Sequence, residues 1–138
     1  MRKLALALIL ALLLAAIPSV SFTEDTAAVR LARTIYALAA DESYETKLAL
    51  GSVVMNRVEN NWFADSLGDV LTDQQQFPAG SRYDDESLRA AHAVISGKRA
   101  LSRDALYYQA ADASNAWGDE NKIDSVGNYN FYRESGNL

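Results

Sequence analysis

The chain has 138 residues, no cysteine, one histidine and a net charge of −5. This length suffices for one small domain with a single hydrophobic core. The lack of cysteine excludes a disulfide framework, and together with the single histidine it excludes a Cys/His metal site. The acidic balance argues against nucleic acids and anionic membrane surfaces as partners, because neither attracts a negatively charged domain.

Residues 1–21 have the pattern of a secretory signal peptide. Arg2 and Lys3 give a positive start, residues 4–17 are an almost unbroken run of Leu, Ala and Ile, and small residues follow as far as Ser21. An uncleaved anchor is the alternative, but the apolar run is shorter than the roughly 20 residues that a membrane span needs. We therefore expect a protein exported to the cell envelope or beyond, with its domain in residues 22–138.

The domain is predicted to begin with a helix over about residues 27–40. Thr26 is a suitable N-cap for it. Leu31, Ile35 and Leu38 follow steps of four and three residues, which place them on one face of that helix. This face is expected to be buried.

A second helix is predicted from Ser43, its expected cap, to about Val58. Gly51 lies within its apolar stripe, where glycine costs about 1 kcal/mol relative to alanine. A glycine at such a position predicts that a neighbouring element packs closely against it.

Beyond the second helix, the sequence predicts mostly loop, with one short helical turn at about residues 66–71. Asp84 or Asp85 can then cap a further helix that ends at Gly97. His92 lies within this helix and would have to be the base of any Ser–His–Asp triad. A helical position favours a partly buried structural histidine instead.

The last third of the chain changes character. Residues 105–109, "ALYYQ", and 128–133, "NYNFYR", are short, rich in aromatic residues and typical of strands. They are expected to pair in a small sheet. The predicted class is therefore α+β, mainly helical, in a single domain without internal repeats.

Several segments resemble the SleB-type cell wall hydrolases, which include spore cortex-lytic enzymes. In residues 31–58, "LARTIYALAADESYETKLALGSVVMNRV", the resemblance rests on Ala39, on the Glu-Ser-Tyr at 42–44 and on the Asn-Arg-Val that ends the stretch. It continues in "QQQF" (74–77), in "ALYYQ", and in "VGNYNFYR" (126–133), whose usual form is Ile-Gly-x-His-x-Phe-Tyr. These segments occur in the family's order and extend over essentially the whole mature domain.

The resemblance implies a lysozyme-like fold with a small antiparallel sheet, and peptidoglycan glycan strands as the partner. It also implies cleavage between N-acetylmuramic acid and N-acetylglucosamine, either by hydrolysis or as a lytic transglycosylase, and no cofactor. Cleavage requires a carboxylic acid to protonate the glycosidic oxygen. Hydrolysis uses a second carboxylate as base or nucleophile, whereas a transglycosylase can use one acid because the sugar's own 6-hydroxyl attacks.

The chain departs from the family pattern at the expected acid. The first glutamate of the family's opening motif falls on Leu38, the glycine before the second glutamate is Asp41, and the histidine of the closing segment is Tyr129. General acid–base catalysis contributes typically about 10²- to 10⁴-fold, and a leucine supplies none of it. Leu38 would instead extend the buried face of the first helix.

Glu42 is the nearest substitute for the missing acid. It lies about one helical turn beyond Leu38, where the negative end of the helix dipole and the neighbouring Asp41 favour a protonated carboxyl group. The alternative is a structural carboxylate that caps the second helix or pairs with Arg57. Three hypotheses stay open. The protein is an exported enzyme that uses Glu42 or another displaced acid, a catalytically silent homologue that binds glycan strands or regulates a partner, or an exported α+β domain that keeps the fold without a wall ligand.

The other candidate site residues suit a sugar groove. Gln76 can donate hydrogen bonds to N-acetyl groups or accept them, and tyrosine rings can stack on pyranose faces. Because strand side chains alternate, Tyr107 and Tyr108 cannot both face the groove, and Trp62 and Trp117 are undecided. The predicted substrate-binding set comprises Gln76, Phe77, Tyr107, Tyr108, Tyr129 and Tyr132.

Overall fold

The computed structural model describes residues 26–73, 76–114 and 116–134, so the expected signal peptide lies outside the described residues. Four helices are followed by three strands: α1 (Ala27–Ala39), α2 (Tyr44–Val58), α3 (Leu67–Thr72), α4 (Asp85–Ile95), β1 (Tyr107–Ala110), a 3-10 turn (Asp119–Asn121), β2 (Lys122–Val126) and β3 (Tyr129–Tyr132). This order confirms the predicted α+β, mainly helical class. Within those ranges, no helix has the length and apolarity to cross a bilayer.

Side-chain caps explain where the helices begin. In each case a cap oxygen accepts a hydrogen bond from a backbone N–H three residues later, which satisfies one of the free donors of the first turn. For α4 the cap is Asp84, and the hydrogen bonds from Ser87 hold the pKa of its carboxyl group below the usual range. The four caps are Thr26, Ser43, Ser66 and Asp84.

Helix α2 is the centre of the molecule and is buried on nearly every side. Its Gly51 confirms the predicted close packing, because a Cβ at that position would lie 3.0 Å from Val94 Cγ2 and 3.3 Å from Ile35 Cδ1. Helices α1 and α4 can therefore approach α2 closely, and the three share one hydrophobic core. His92 is exposed on α4, so the expectation that it is partly buried is wrong.

The three strands form an antiparallel sheet in the order β1-β3-β2. Tyr107 pairs with Tyr132 and Tyr108 with Phe131, which confirms the predicted pairing of the two aromatic segments. Strand β2 was not predicted, since its sequence, Lys-Ile-Asp-Ser-Val, is mostly polar and exposed.

Alternation along β3 divides the aromatic residues between two clusters. Phe131 is fully buried in the main core with the helices. Tyr132 points to the other side, where it packs with Leu106 and Tyr107 in a second, smaller cluster that Trp117 partly covers. The sheet thus has two inward-packed sides, and only parts of it remain available to a ligand.

Candidate active site

The position of the expected acid lies in the last turn of α1. Leu38 is half-buried and packs against the main core, as predicted, although it is not fully enclosed. Its backbone oxygen accepts a hydrogen bond of 2.5 Å from the Tyr129 hydroxyl. Two of the three departures from the family pattern, Leu38 and Tyr129, are therefore in direct contact.

Glu42 lies in the tight connection between α1 and α2. Its backbone N–H donates to the Ala39 oxygen at 3.0 Å, and its side chain is half-buried. The Asn128 side-chain amide donates to Glu42 Oε1 at 2.6 Å. Both structural alternatives for Glu42 are wrong: Ser43 caps α2, and the partner of the carboxylate is Asn128 instead of Arg57.

The turn between β2 and β3 fits tightly against Glu42. Gly127 has a φ of +55°, in the left-handed region that favours glycine. A Cβ at this position would lie 2.4 Å from Thr46 Oγ1 and 2.7 Å from Glu42 Oε2. Glycine is thus required here both by its backbone angle and by the closeness of the carboxylate.

Glu42 opens onto a surface depression of about 400 Å³. A carboxylate, a side-chain amide and a phenol ring meet there, together with a second carboxylate, Asp112, from the turn after β1. This combination can bind sugar hydroxyls and exchange protons with them. The depression is lined by Glu42, Ala110, Ala111, Asp112, Asn128 and Tyr129.

Asp112 was missed by the sequence interpretation. It lies in an exposed polar segment, and nothing in the local pattern distinguishes it from any other surface acid. Only the return of β3 alongside β1 brings it to the same depression as Glu42.

Arg57 is a buried residue that supports Gln76 from inside the protein. Its side chain is 3% exposed, its Nε donates to the Leu106 backbone oxygen at 2.7 Å, and its Nη2 donates to Gln76 Oε1 at 3.0 Å. Burial lowers the pKa of Arg57, but a guanidinium stays charged in proteins. Three aromatic rings lie within cation–π distance of it: Phe63, Phe77 and Tyr107.

A row of aromatic side chains links Gln76 with Glu42. The Tyr108 hydroxyl donates to the Gln76 backbone oxygen at 2.8 Å, and Phe77 stacks on the Tyr108 ring at a centroid distance of 5.5 Å. The Tyr108 and Tyr129 rings are 6.0 Å apart. Burial raises the pKa of both tyrosine hydroxyls, and the Glu42 charge adds to this effect at Tyr129. These contacts form a row from Gln76 through Tyr108 and Tyr129 to Glu42, and the Glu42 end of the row lies in the depression. We refer to this row as the groove.

Some residues of the predicted sugar-binding set lie elsewhere. Tyr107 and Tyr132 are buried in the second cluster, where Tyr107 stacks on Trp117 at 4.2 Å, so strand alternation removes both rings from the groove. Phe77 is also buried and supports Tyr108 from behind. Trp62 is 80% exposed.

Comparison with known proteins assigns this arrangement to a family. Residues 41–132, more than half of the chain, match the family model described as Cell Wall Hydrolase. The chain belongs to the cell wall hydrolase family. The matched stretch contains Glu42, Arg57, Gln76 and Tyr129, and it begins just after Leu38.

Two solved structures share the fold of this cell wall hydrolase domain. The catalytic domain of the Bacillus cereus SleB protein is 22% identical, with a TM-score of 0.70 over 78% of this chain and 89% of that one. The catalytic domain of the germination-specific lytic transglycosylase SleB from Bacillus anthracis is 21% identical, with a TM-score of 0.71 over 82% and 98%. These likenesses confirm the lysozyme-like fold. A search of the curated proteins gave no match.

Proposed function

We propose that this protein cleaves the glycan strands of peptidoglycan and that Glu42 is its catalytic carboxyl group. Membership of the cell wall hydrolase family supports the substrate class. The observation that carries the assignment of Glu42 is its position: the carboxylate lies in a surface depression beside Tyr129, held at one oxygen by Asn128. A carboxylate used only to neutralise Arg57 would be buried at the opposite end of the groove.

The contacts of Glu42 suit a carboxyl group that acts on a bound glycan. The bond from Asn128 fixes the orientation of the carboxyl group. A glycan strand lying over the depression would exclude water and bring a glycosidic oxygen to this group, which would protonate it. The Tyr129 ring, anchored through its hydroxyl to the Leu38 oxygen, offers a face to the neighbouring sugar.

The depression accommodates either outcome of cleavage. With Glu42 alone, the sugar's own 6-hydroxyl would attack, and the same carboxylate would take up its proton. With Asp112 as the second carboxylate, a water molecule would be held for ordinary hydrolysis. Mass spectrometry of the products distinguishes the two, since an anhydro end weighs one water less than a reducing end.

Release of soluble muropeptides from purified peptidoglycan tests the proposal. We expect the unmodified protein to release them, and Glu42→Gln to lower the rate by about 10²- to 10⁴-fold. Glu45→Gln is the matched control, because Glu45 is an exposed acid in the first turn of α2 that does not line the depression. Equal rates for the Glu42→Gln variant and the unmodified protein would contradict the role of Glu42.

A second candidate function is glycan binding without turnover, which the side chain at position 38 favours. Leu38 packs against the core and carries no proton-donating group, at the position where the resemblance places the family's acid. If this candidate is correct, the unmodified protein binds peptidoglycan but releases nothing, and Leu38→Glu restores release. Activity of the unmodified protein excludes it.

We also propose that the protein is exported through residues 1–21 and acts in the cell envelope or outside the cell. The support is the positive start, the apolar run and the small residues of that segment. Fractionation of cells expressing the full chain, with N-terminal sequencing of the exported product, tests this. A product that begins near residue 22 is expected, and an uncleaved cytoplasmic product would contradict export.

A further inference from the structure

We propose that Gln76 recognises the glycan only as a hydrogen-bond donor, and that Arg57 is the positioning residue that imposes this polarity. The ligand group would be an acetamido carbonyl oxygen of an N-acetylated sugar. This inference rests on the proposed function, because it names the sugar group recognised at the far end of the same groove from Glu42.

The orientation of the Gln76 amide follows from the chemistry of its partner. A guanidinium has five donors and no acceptor, so the Gln76 atom that faces Arg57 Nη2 at 3.0 Å must be the oxygen. Arg57 itself cannot turn away easily. Its Nε is bonded to the Leu106 oxygen, and its planar group lies 4.8 Å from the centroids of both Phe63 and Phe77.

The same contact directs the amide nitrogen away from Arg57. Gln76 is half-exposed, and within the described part of the chain no hydrogen bond engages its Nε2. Its backbone is also fixed, because its carbonyl oxygen accepts from the Tyr108 hydroxyl. Gln76 therefore has two N–H donors without a described partner, on a residue whose backbone is bonded to Tyr108, the first ring of the groove.

A donor of fixed polarity favours the strongest acceptor within reach. A sugar hydroxyl can also accept from the locked N–H groups, but an amide carbonyl oxygen is the stronger hydrogen-bond acceptor. The locked N–H donors are therefore better matched to a carbonyl oxygen. Each sugar of a peptidoglycan strand carries one acetamido carbonyl, whereas a glucose polymer of the same linkage carries none. The expected consequence is a preference for N-acetylated strands.

The test compares two neutral β-1,4 oligosaccharides, chitopentaose and cellopentaose, which differ in their acetamido groups. Isothermal titration calorimetry of the purified protein is expected to show at least about tenfold tighter binding of chitopentaose, the value of one well-placed hydrogen bond. The Gln76→Glu variant keeps an acceptor for Arg57 but replaces the N–H donors with a carboxylate oxygen. We expect this variant to lose the preference while its melting temperature stays equal or rises.

A second variant tests the positioning role. Arg57→Met frees the Gln76 amide to turn, so the ratio of the two affinities should fall, whereas a purely structural role would weaken both ligands equally. If Arg57→Met does not fold, the Gln76→Glu variant still decides. If the Gln76→Glu variant still prefers chitopentaose, the inference about Gln76 is wrong, and the proposed function is unaffected. A lack of chitopentaose binding by the unmodified protein also overturns the inference, and muropeptide release then shows whether the proposed function survives.

Discussion

The two ends of the groove are built in different ways. At the Gln76 end, a buried guanidinium enclosed by aromatic rings holds the loop from the inside. At the Glu42 end, a half-buried carboxylate is held by Asn128, an exposed residue of the β2–β3 turn. Two of the three departures from the family pattern, Leu38 and Tyr129, lie at this second end, where they touch each other.

The difference shows which part of such a domain can change at low cost. Replacing Arg57 would leave the buried Leu106 backbone oxygen without its donor and the half-exposed Gln76 amide without its partner, a costly change. A half-buried residue at the end of a helix, such as Leu38, can be exchanged with little effect on folding. The proposed binding end is thus constrained by stability, whereas the proposed reaction end is less constrained by folding.

The largest expected effect on stability is at the Gln76 end, where Arg57 is replaced. Arg57→Met should lower the free energy of unfolding by about 3 kcal/mol, because the buried Leu106 oxygen and the Gln76 amide lose their donor and three aromatic rings lose their contact with the guanidinium. Urea denaturation measures this. Arg103→Ala is the control: Arg103 is exposed and pairs with Glu59 at the surface, so its loss should stay within about 1 kcal/mol. Similar losses of stability in the two variants would show that Arg57 does not support the groove from inside the protein.

An intermediate effect is expected at the turn that holds Glu42. Gly127→Ala should cost about 2 kcal/mol, from its left-handed backbone and from contact with Thr46 and Glu42, and should also reduce muropeptide release by displacing the carboxylate. Gly97→Ala is the matched control. Gly97 also has a positive φ but has open space around it, so that variant should lose stability without losing release. Full activity of the Gly127→Ala variant would show that this turn does not affect the reaction.

A smaller effect is expected at Leu38, the position where the resemblance places the family's acid. Leu38→Glu should cost about 1 kcal/mol, since a half-buried leucine loses only part of its burial energy. Thermal unfolding checks this value. A cost of several kcal/mol would mean that Leu38 is a full member of the core and that the groove does not reach it.

The smallest expected effect concerns the hydrogen bond between Tyr129 and Leu38. Tyr129→Phe removes the hydrogen bond to the Leu38 oxygen and should cost about 0.5 to 1 kcal/mol at neutral pH. Burial, then the Glu42 charge, raises the folded-state pKa of Tyr129 above its unfolded value. Its contribution is therefore complete below about pH 10 and is lost as the pH rises through the folded pKa. The Phe variant should lose less stability than the unmodified protein between pH 9 and 12, and parallel losses would contradict this.

Local chemistry made much of the fold predictable. Short sequence signals indicated all of these features: capping residues at Thr26, Ser43 and Asp84, a glycine within an apolar stripe at Gly51, and two aromatic runs that pair as strands. Strand β2 could not be predicted in this way, because pairing with β3, and not its own polar sequence, makes it a strand.

The site was less predictable because its contacts join distant parts of the chain. Glu42 was identified as a candidate, but its partner Asn128 lies 86 residues away, and nothing near either residue indicates the contact. Arg57 was expected to pair with an acid, yet it bonds to Gln76 and a backbone oxygen. Such pairings depend on how the sheet packs against the helices, which a single sequence does not encode locally.

We propose that binding and cleavage reside at separate ends of one groove. The most direct test is the Kd of the Glu42→Gln variant for chitopentaose. We expect a Kd within about twofold of that of the unmodified protein, in a variant that has lost muropeptide release, since the energy of one good contact would change the Kd about tenfold. A Kd weakened in step with the lost release would contradict the separation and assign Glu42 to binding as well.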